Sequence, residues 1–171
     1  MKILLHICCG PCSLFPIDDL KSAYPDIVID AIFYNPNIHP LDEFEKRLGG
    51  AITATAAKDV PLIIFKDFDQ PRWDNFAGSD LERCAMCYST RLGFVSKYAA
   101  DNGYTHFTTS LLVSPYQKHD LIAQTGAEFA KLNGIEFLSR DFRPGFRNGQ
   151  NQARELGIYR QKYCGCLRGK E

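Results

Sequence analysis

No apolar stretch in this sequence approaches the length that crosses a bilayer, so no helical membrane span is expected. Net charge is missing as well: 20 lysines and arginines balance 20 aspartates and glutamates. Bulk charge therefore announces no nucleic-acid partner, and such a partner needs a local basic patch. The best candidate is YRQKYCGCLRGK, with Arg160, Lys162, Arg168 and Lys170 followed by one acidic residue, Glu171. Internal repeats, low-complexity tracts and linkers are also absent, which points to a single domain over residues 1–171. The leading MKILLHI is too short for a secretory signal and has no small-residue cleavage site, so a cytoplasmic protein is expected.

What is present is a globular composition: 45% hydrophobic residues, with 12 Phe and 8 Tyr, enough to bury a core without disulfides. The seven cysteines fall in three tight groups: CCGPC (Cys8, Cys9, Cys12), CAMC (Cys84, Cys87) and CGC (Cys164, Cys166). In a reducing compartment such grouping indicates metal or redox chemistry more than structural bridges or small buried hydrophobes.

Apolar runs alternate with helical patterns along the chain. KILLHIC, DIVIDAIFY, VPLIIFKD, YTHFTTSLL and IEFLSRDFR read as strands. The intervening helices are expected from about Ser13, which could cap the first, over 41–59 (with a disturbance at Gly49 and Gly50), over 84–103 and over 114–134. After PGF the chain is expected to become helical toward CGC, and 145–171 forms a carboxy-terminal segment carrying that pair. This alternation predicts an α/β doubly wound fold: a parallel sheet of about five strands with helices on both faces. Ligands of such sheets sit beyond the carboxyl ends of the strands, where all three cysteine groups would gather.

Cys8, Cys9, Cys84 and Cys87 could meet there as four thiolates. That donor set suits structural zinc or an iron–sulfur cluster. Adjacent cysteines are awkward for a zinc knuckle, whereas a wider cubane lets neighbouring thiols reach different irons, which favours iron–sulfur. The Cys164–Cys166 pair could form a strained, easily reduced disulfide or chelate a second metal. Cys12 could be a spare ligand, or could join Cys164 and Cys166 around another iron.

With these groups in place, the chain resembles the epoxyqueuosine reductases of the QueH type. The resemblance rests on LLHICCGPCS, YNPNIHPLDEFEKR, ERCAMCYSTRL, FTTSLLVSPYQ, DFRPGF and YRQKYCGC, in order from Leu4 to Cys166. It implies a fold like the adenine-nucleotide α-hydrolases. It also implies an oxidoreductase that converts epoxyqueuosine in tRNA to queuosine, the last step of queuosine synthesis, with iron–sulfur chemistry and without cobalamin. CCGPCS stands where nucleotide-using members of that fold carry a phosphate loop, so ATP is not expected. By this resemblance Cys8, Cys9, Cys84 and Cys87 hold a 4Fe–4S cluster. Cys164 and Cys166 are the redox pair or ligands of an additional mononuclear iron.

Removing an epoxide oxygen needs two electrons and a proton or Lewis acid for the departing oxygen. A cluster moves one electron at a time, and a dithiol or an iron it holds completes the chemistry. His39 could donate the proton, or could merely cap its loop. Asn35, Asn37, Tyr116 and Gln117 could read the base, while Arg143, Arg147, Arg160 and Lys162 could hold tRNA phosphates. Tyr88 and Arg91 lie one turn beyond the CAMC cysteines, where they could tune the metal. His6 and His106 are expected buried within strands, and Trp73 in the core. The competing functions are a non-catalytic zinc-binding nucleic-acid module and a thiol sensor; an external electron donor is expected, and nothing in the sequence names it.

Overall fold

A computed structural model describes residues 1–170; Glu171, the acidic residue beyond the basic run, lies outside the described residues. The elements are β1 (Lys2–His6), α1 (Gly10–Ala23), β2 (Val28–Tyr34), α2 (Leu41–Ala57), β3 (Leu62–Phe65), α3 (Gln70–Asp74), α4 (Asp80–Asp101), β4 (His106–Thr109), α5 (His119–Asn133), β5 (Glu136–Phe137) and α6 (Phe146–Glu155). The five strands form one sheet in the order β3-β2-β1-β4-β5. Every pairing is parallel; at the centre Leu5 lies opposite Ala31 on one side and Thr108 on the other. Ile3, Leu4 and Leu5 are fully buried although successive side chains point to opposite faces, so both faces of β1 are covered. Right-handed crossovers put α1 and α2 on one face and α4 and α5 on the other. The packing agrees: α1 contacts α2 and α6, and α4 contacts α5. Among the described residues no helix is long and apolar enough to cross a membrane.

The chain direction across the sheet reverses between β1 and β4. In open α/β sheets the crevice at that reversal is where ligands bind. Cys8 and Cys9 follow β1 after one residue, Ile7, and Ser110 follows β4.

Several local expectations are corrected. Helix α1 starts at Gly10, not near Ser13: Cys9 is the flanking cap residue and Pro11 sits in the first turn, where a missing N–H costs nothing. Ser13 caps nothing; its Oγ donates to the Gly10 carbonyl at 2.7 Å. Gly49 and Gly50 leave α2 unbroken. It is Gly10 that lets α1 and α2 approach: a Cβ there would lie 2.5 Å from the Gly50 carbonyl oxygen. Helix α4 begins at Asp80, four residues before Cys84, through a capping box in which Glu82 N–H donates to Ser79 Oγ and Ser79 N–H donates to Glu82 Oε2. Strands β4 and β5 are shorter than their apolar runs, because a 3-10 turn over Ser110–Val113 ends β4 and β5 pairs over two residues only. Helix α6 does not continue to the CGC pair. It stops at Glu155, and Gly157 at φ +66° turns the chain away into an irregular tail.

Candidate active site

A cavity of about 580 Å³ opens beyond the carboxyl ends of the strands. Six of the seven cysteines line it: Cys8 from the β1–α1 turn, Cys12 from the first turn of α1, Cys84 and Cys87 from α4, and Cys164 and Cys166 from the tail. Topology explains the gathering. The β1–α1 turn, the start of α4 and the returning tail all reach this edge of the sheet.

Cys8, Cys9 and Cys12 are buried, and their sulfurs all lie within 4.8 Å of one another. Cys8 and Cys9 Sγ are 3.8 Å apart. Ser110 Oγ lies 3.5 Å from Cys8 Sγ and accepts the Cys8 N–H at 3.2 Å, tying β4 to the group. Gln161 from the tail donates Nε2 to Cys9 Sγ at 2.7 Å and to Cys12 Sγ at 3.3 Å. The thiols of Cys12 and then Cys9 hold Cys8 well below the ordinary thiol range. Burial pushes Cys9 up, and the neighbouring Cys8 pushes Cys12 up. Three sulfurs this close, at the positive end of a 14-residue helix, make a ready donor set for a soft metal.

Cys84 and Cys87 stand outside this tight group but line the same cavity. Their i, i+3 spacing in the first turns of α4 puts them on one helix face. Burial raises both thiols. The buried Arg91 donates Nη2 to Cys87 Sγ at 3.2 Å and Nε to the Cys87 carbonyl at 3.5 Å, and its Nη1 has no partner among the described residues. Tyr88 donates its hydroxyl to Gln117 Oε1 at 2.6 Å, and burial raises that phenol to about 12.

The tail is docked, not loose. Arg47 on α2 donates to the carbonyls of Tyr163 (2.8 Å) and Cys164 (3.2 Å), and to Glu43 Oε1 at 2.9 Å. Tyr159 OH donates to Glu43 Oε2 at 2.6 Å, His39 N–H to Gly165 O at 2.9 Å, and Tyr163 OH to the His39 carbonyl. Gly165 sits at φ +122°, and a Cβ there would crowd Ile38, Asn37 and Arg47 at 3.1–3.3 Å, so the residue between the two cysteines must be glycine.

The charge hidden by the neutral total is concentrated here. Among the described residues, Arg47, Arg83, Arg91, Lys118, Lys162 and Arg168 line the cavity against one carboxylate, Asp80, which pairs with Arg83. Buried guanidiniums beside thiols favour anionic ligands. The donor set therefore fits a thiolate-bound metal: soft sulfur atoms, and positive charge to offset theirs.

The other expected site residues divide. Asn37, Tyr116, Gln117 and Lys162 line the cavity. Asn35 does not: its Nδ2 donates to the Ile7 carbonyl at 2.9 Å and its Oδ1 meets His6 Nε2, so it is spent on the fold. His39 is fully buried, bonds through Nε2 to the Pro36 carbonyl at 2.9 Å, packs on Phe68 and Trp73, and does not line the cavity. Burial lowers its pKa, which together with this packing makes it a loop-holding residue. Arg143 is engaged in a bidentate pair with Asp141 and lies away from the cavity. Arg147 and Arg160 line an adjoining shallow groove. His6 is buried and satisfied by Thr109, Tyr34 and Asn35 as expected, whereas His106 is only half-buried, 3.1 Å from Glu136. Trp73 is fully buried yet lines the cavity. Arg47, Arg83, Lys118 and Gln161 were not singled out from the sequence. For Arg47 the i, i+4 spacing from Glu43 was the available signal.

The family model of epoxyqueuosine reductase QueH matches residues 3–171. The epoxyqueuosine reductase QueH of Dehalococcoides mccartyi is 32% identical over 167 residues, covering 97% of this chain and 91% of that relative. Two solved structures share the fold. A predicted subunit of tRNA methyltransferase from Methanocaldococcus jannaschii gives a TM-score of 0.57 at 12% identity, covering 91% of this chain and 75% of that one. The U34-tRNA thiolase NcsA from Methanococcus maripaludis, solved with its 4Fe–4S cluster, gives 0.55 at 13% identity, covering 95% of this chain and 58% of that one.

Proposed function

The chain belongs to the epoxyqueuosine reductase QueH family, and from that premise we propose that it removes the epoxide oxygen of epoxyqueuosine in tRNA, giving queuosine, in the cysteine-lined cavity. The observation that carries this placement is that six of the seven cysteines, from three distant segments, line one basic cavity. The non-catalytic zinc module is not favoured: the matching family is one of reductases, and a binding module has no use for a CxC pair docked in a cavity.

Cys8, Cys9, Cys84 and Cys87 are assigned to a 4Fe–4S cluster, and Cys12, Cys164 and Cys166 to the reacting side. When bound, the cluster supplies single electrons, and an additional iron on Cys12, Cys164 and Cys166 would supply Lewis acidity. The chain's own residues do the rest. The net change takes up two electrons and two protons and releases water. If the dithiol supplies both, Cys164 and Cys166 end as a disulfide, which an external donor must reduce. Such thiols keep their reduced form in the cytoplasm, where we place the protein. Arg47 fixes the carbonyls flanking Cys164 and so aims the pair. In this reading Asn37 and Gln117 meet polar edges of the base, with Gln117 held by the Tyr88 hydroxyl. Trp73 and Leu111 exclude water on their sides of the cavity.

Anaerobic purification with iron, acid-labile sulfide and zinc analysis tests the metal assignment. The expected protein is brown, absorbs at roughly 400 nm and contains iron and sulfide. A colourless protein that carries zinc and still reduces the epoxide overturns it.

A further inference from the structure

Beside the cavity runs a shallow groove of about 490 Å³. Its wall is α6, which presents Arg147, Asn151 and Arg154 at i, i+4 and i+7, a single helical stripe. Arg160 from the tail closes the same groove. Among the described residues no carboxylate lines it, and neither Arg147 nor Arg160 forms an ion pair. Arg143, only four residues before Arg147, is held by Asp141 and is not part of the groove. Arginine forks suit phosphate oxygens, and in a chain with no net charge three of them in one carboxylate-free groove make a local anion track.

Groove and cavity meet. Tyr116 and Phe146 line both. Tyr116 is 84% exposed, and its ring is held edge-on against Phe146 at a centroid distance of 6.0 Å. An aromatic ring presented to solvent at the mouth of a reaction cavity, next to a basic groove, has the two parts that single-stranded RNA sites combine: a backbone track and a stacking surface.

Resting on the reductase reading above, we propose that the α6 groove holds the phosphodiester backbone of the unpaired tRNA strand next to the modified nucleotide. Tyr116 stacks on the base adjoining it, while the modified base enters the cysteine cavity.

The test uses the anaerobic holoprotein, with a fluorescent single-stranded RNA as probe and epoxyqueuosine-containing tRNA as substrate. The Arg147→Ala/Arg154→Ala/Arg160→Ala protein should bind the RNA at least roughly ten-fold more weakly, and its salt slope should fall by about 0.7 for each phosphate that is no longer neutralised. Tyr116→Ala should weaken binding about 5- to 150-fold with the salt slope unchanged, and Tyr116→Phe should restore it. Arg143→Ala should bind like the parent. Iron content and the visible spectrum should be the same in all four proteins. If the triple variant keeps parental affinity, salt slope and KM for tRNA while reducing the epoxide, the groove is not the track and the reductase reading stands. If Arg143→Ala weakens binding as much as the triple variant, the groove is likewise rejected. If the groove variants lose RNA binding but the parent never reduces the epoxide, the docking surface stands and the reductase reading fails.

Discussion

Arg47 Nη2 donates to the carbonyl oxygen of Tyr163 at 2.8 Å, a contact between residues 116 positions apart. The same guanidinium holds the Cys164 carbonyl and the buried carboxylate of Glu43. One side chain thus connects α2 to the segment that carries the CxC pair. The arrangement is rigid because its members are desolvated: the side chains of Arg47 and Glu43 are 1% and 7% exposed.

Replacing Arg47 by Ala leaves the buried Glu43 carboxylate with only the Tyr159 hydroxyl and no counter-charge, and should cost about 3–5 kcal/mol of stability in denaturant unfolding. Arg47→Lys keeps the charge but not the fork. It should fold, yet free the tail, so that Cys166, now 4% exposed, is alkylated faster in the native protein. Parental labelling of Cys166 in Arg47→Lys would show that the clamp does not position the pair.

The CxC pair should act in turnover and not in cluster assembly. The Cys164→Ser/Cys166→Ser protein should keep its cluster sulfide and brown colour but leave epoxyqueuosine unreduced. Loss of the chromophore in that protein would mean that the ligand sets are divided wrongly.

Cys84→Ser, in contrast, should lower iron and sulfide and bleach the visible band, and Cys87→Ser should do the same. Full cluster retention in either one would remove α4 from the ligand set and shift attention to Cys12, whose sulfur lies with those of Cys8 and Cys9.

The approach of α1 to α2 predicts opposite effects at two helical glycines. Gly10→Ala should destabilise by about 1–3 kcal/mol, because its Cβ would lie 2.5 Å from Gly50 O and 2.7 Å from Ile158 Cγ2. Gly49→Ala has open space around the new Cβ and should stabilise α2 by roughly 0.5–1 kcal/mol. Urea midpoints of the two variants check both signs.

The doubly wound sheet was legible because β1 is a continuous apolar run and strands alternate with helices along the chain. The convergence of cysteine groups followed from that topology. What stayed hidden depends on partners distant in sequence or on motifs in polar stretches. The capping box of Ser79 and Glu82 starts α4 inside a segment that reads as irregular, so Cys84 and Cys87 were placed at a helix start and not one turn within it. His39 could not be separated from an active-site acid until Phe68 and Trp73 were seen packed on it. Arg143 and Arg147 read alike in the sequence, and Asp141 distinguishes them by engaging only the first. Arg47 was invisible as a clamp because its partners are the backbone of a tail more than a hundred residues away.

The central claim is that this cavity reduces the epoxide. Single-turnover incubation of the iron-loaded, dithionite-reduced protein with epoxyqueuosine-containing tRNA, followed by nucleoside mass spectrometry, tests it most directly. The account predicts conversion to queuosine by the parent protein and none by Cys164→Ser/Cys166→Ser. Unchanged epoxyqueuosine with the fully loaded parent, or equal conversion by both proteins, would contradict it.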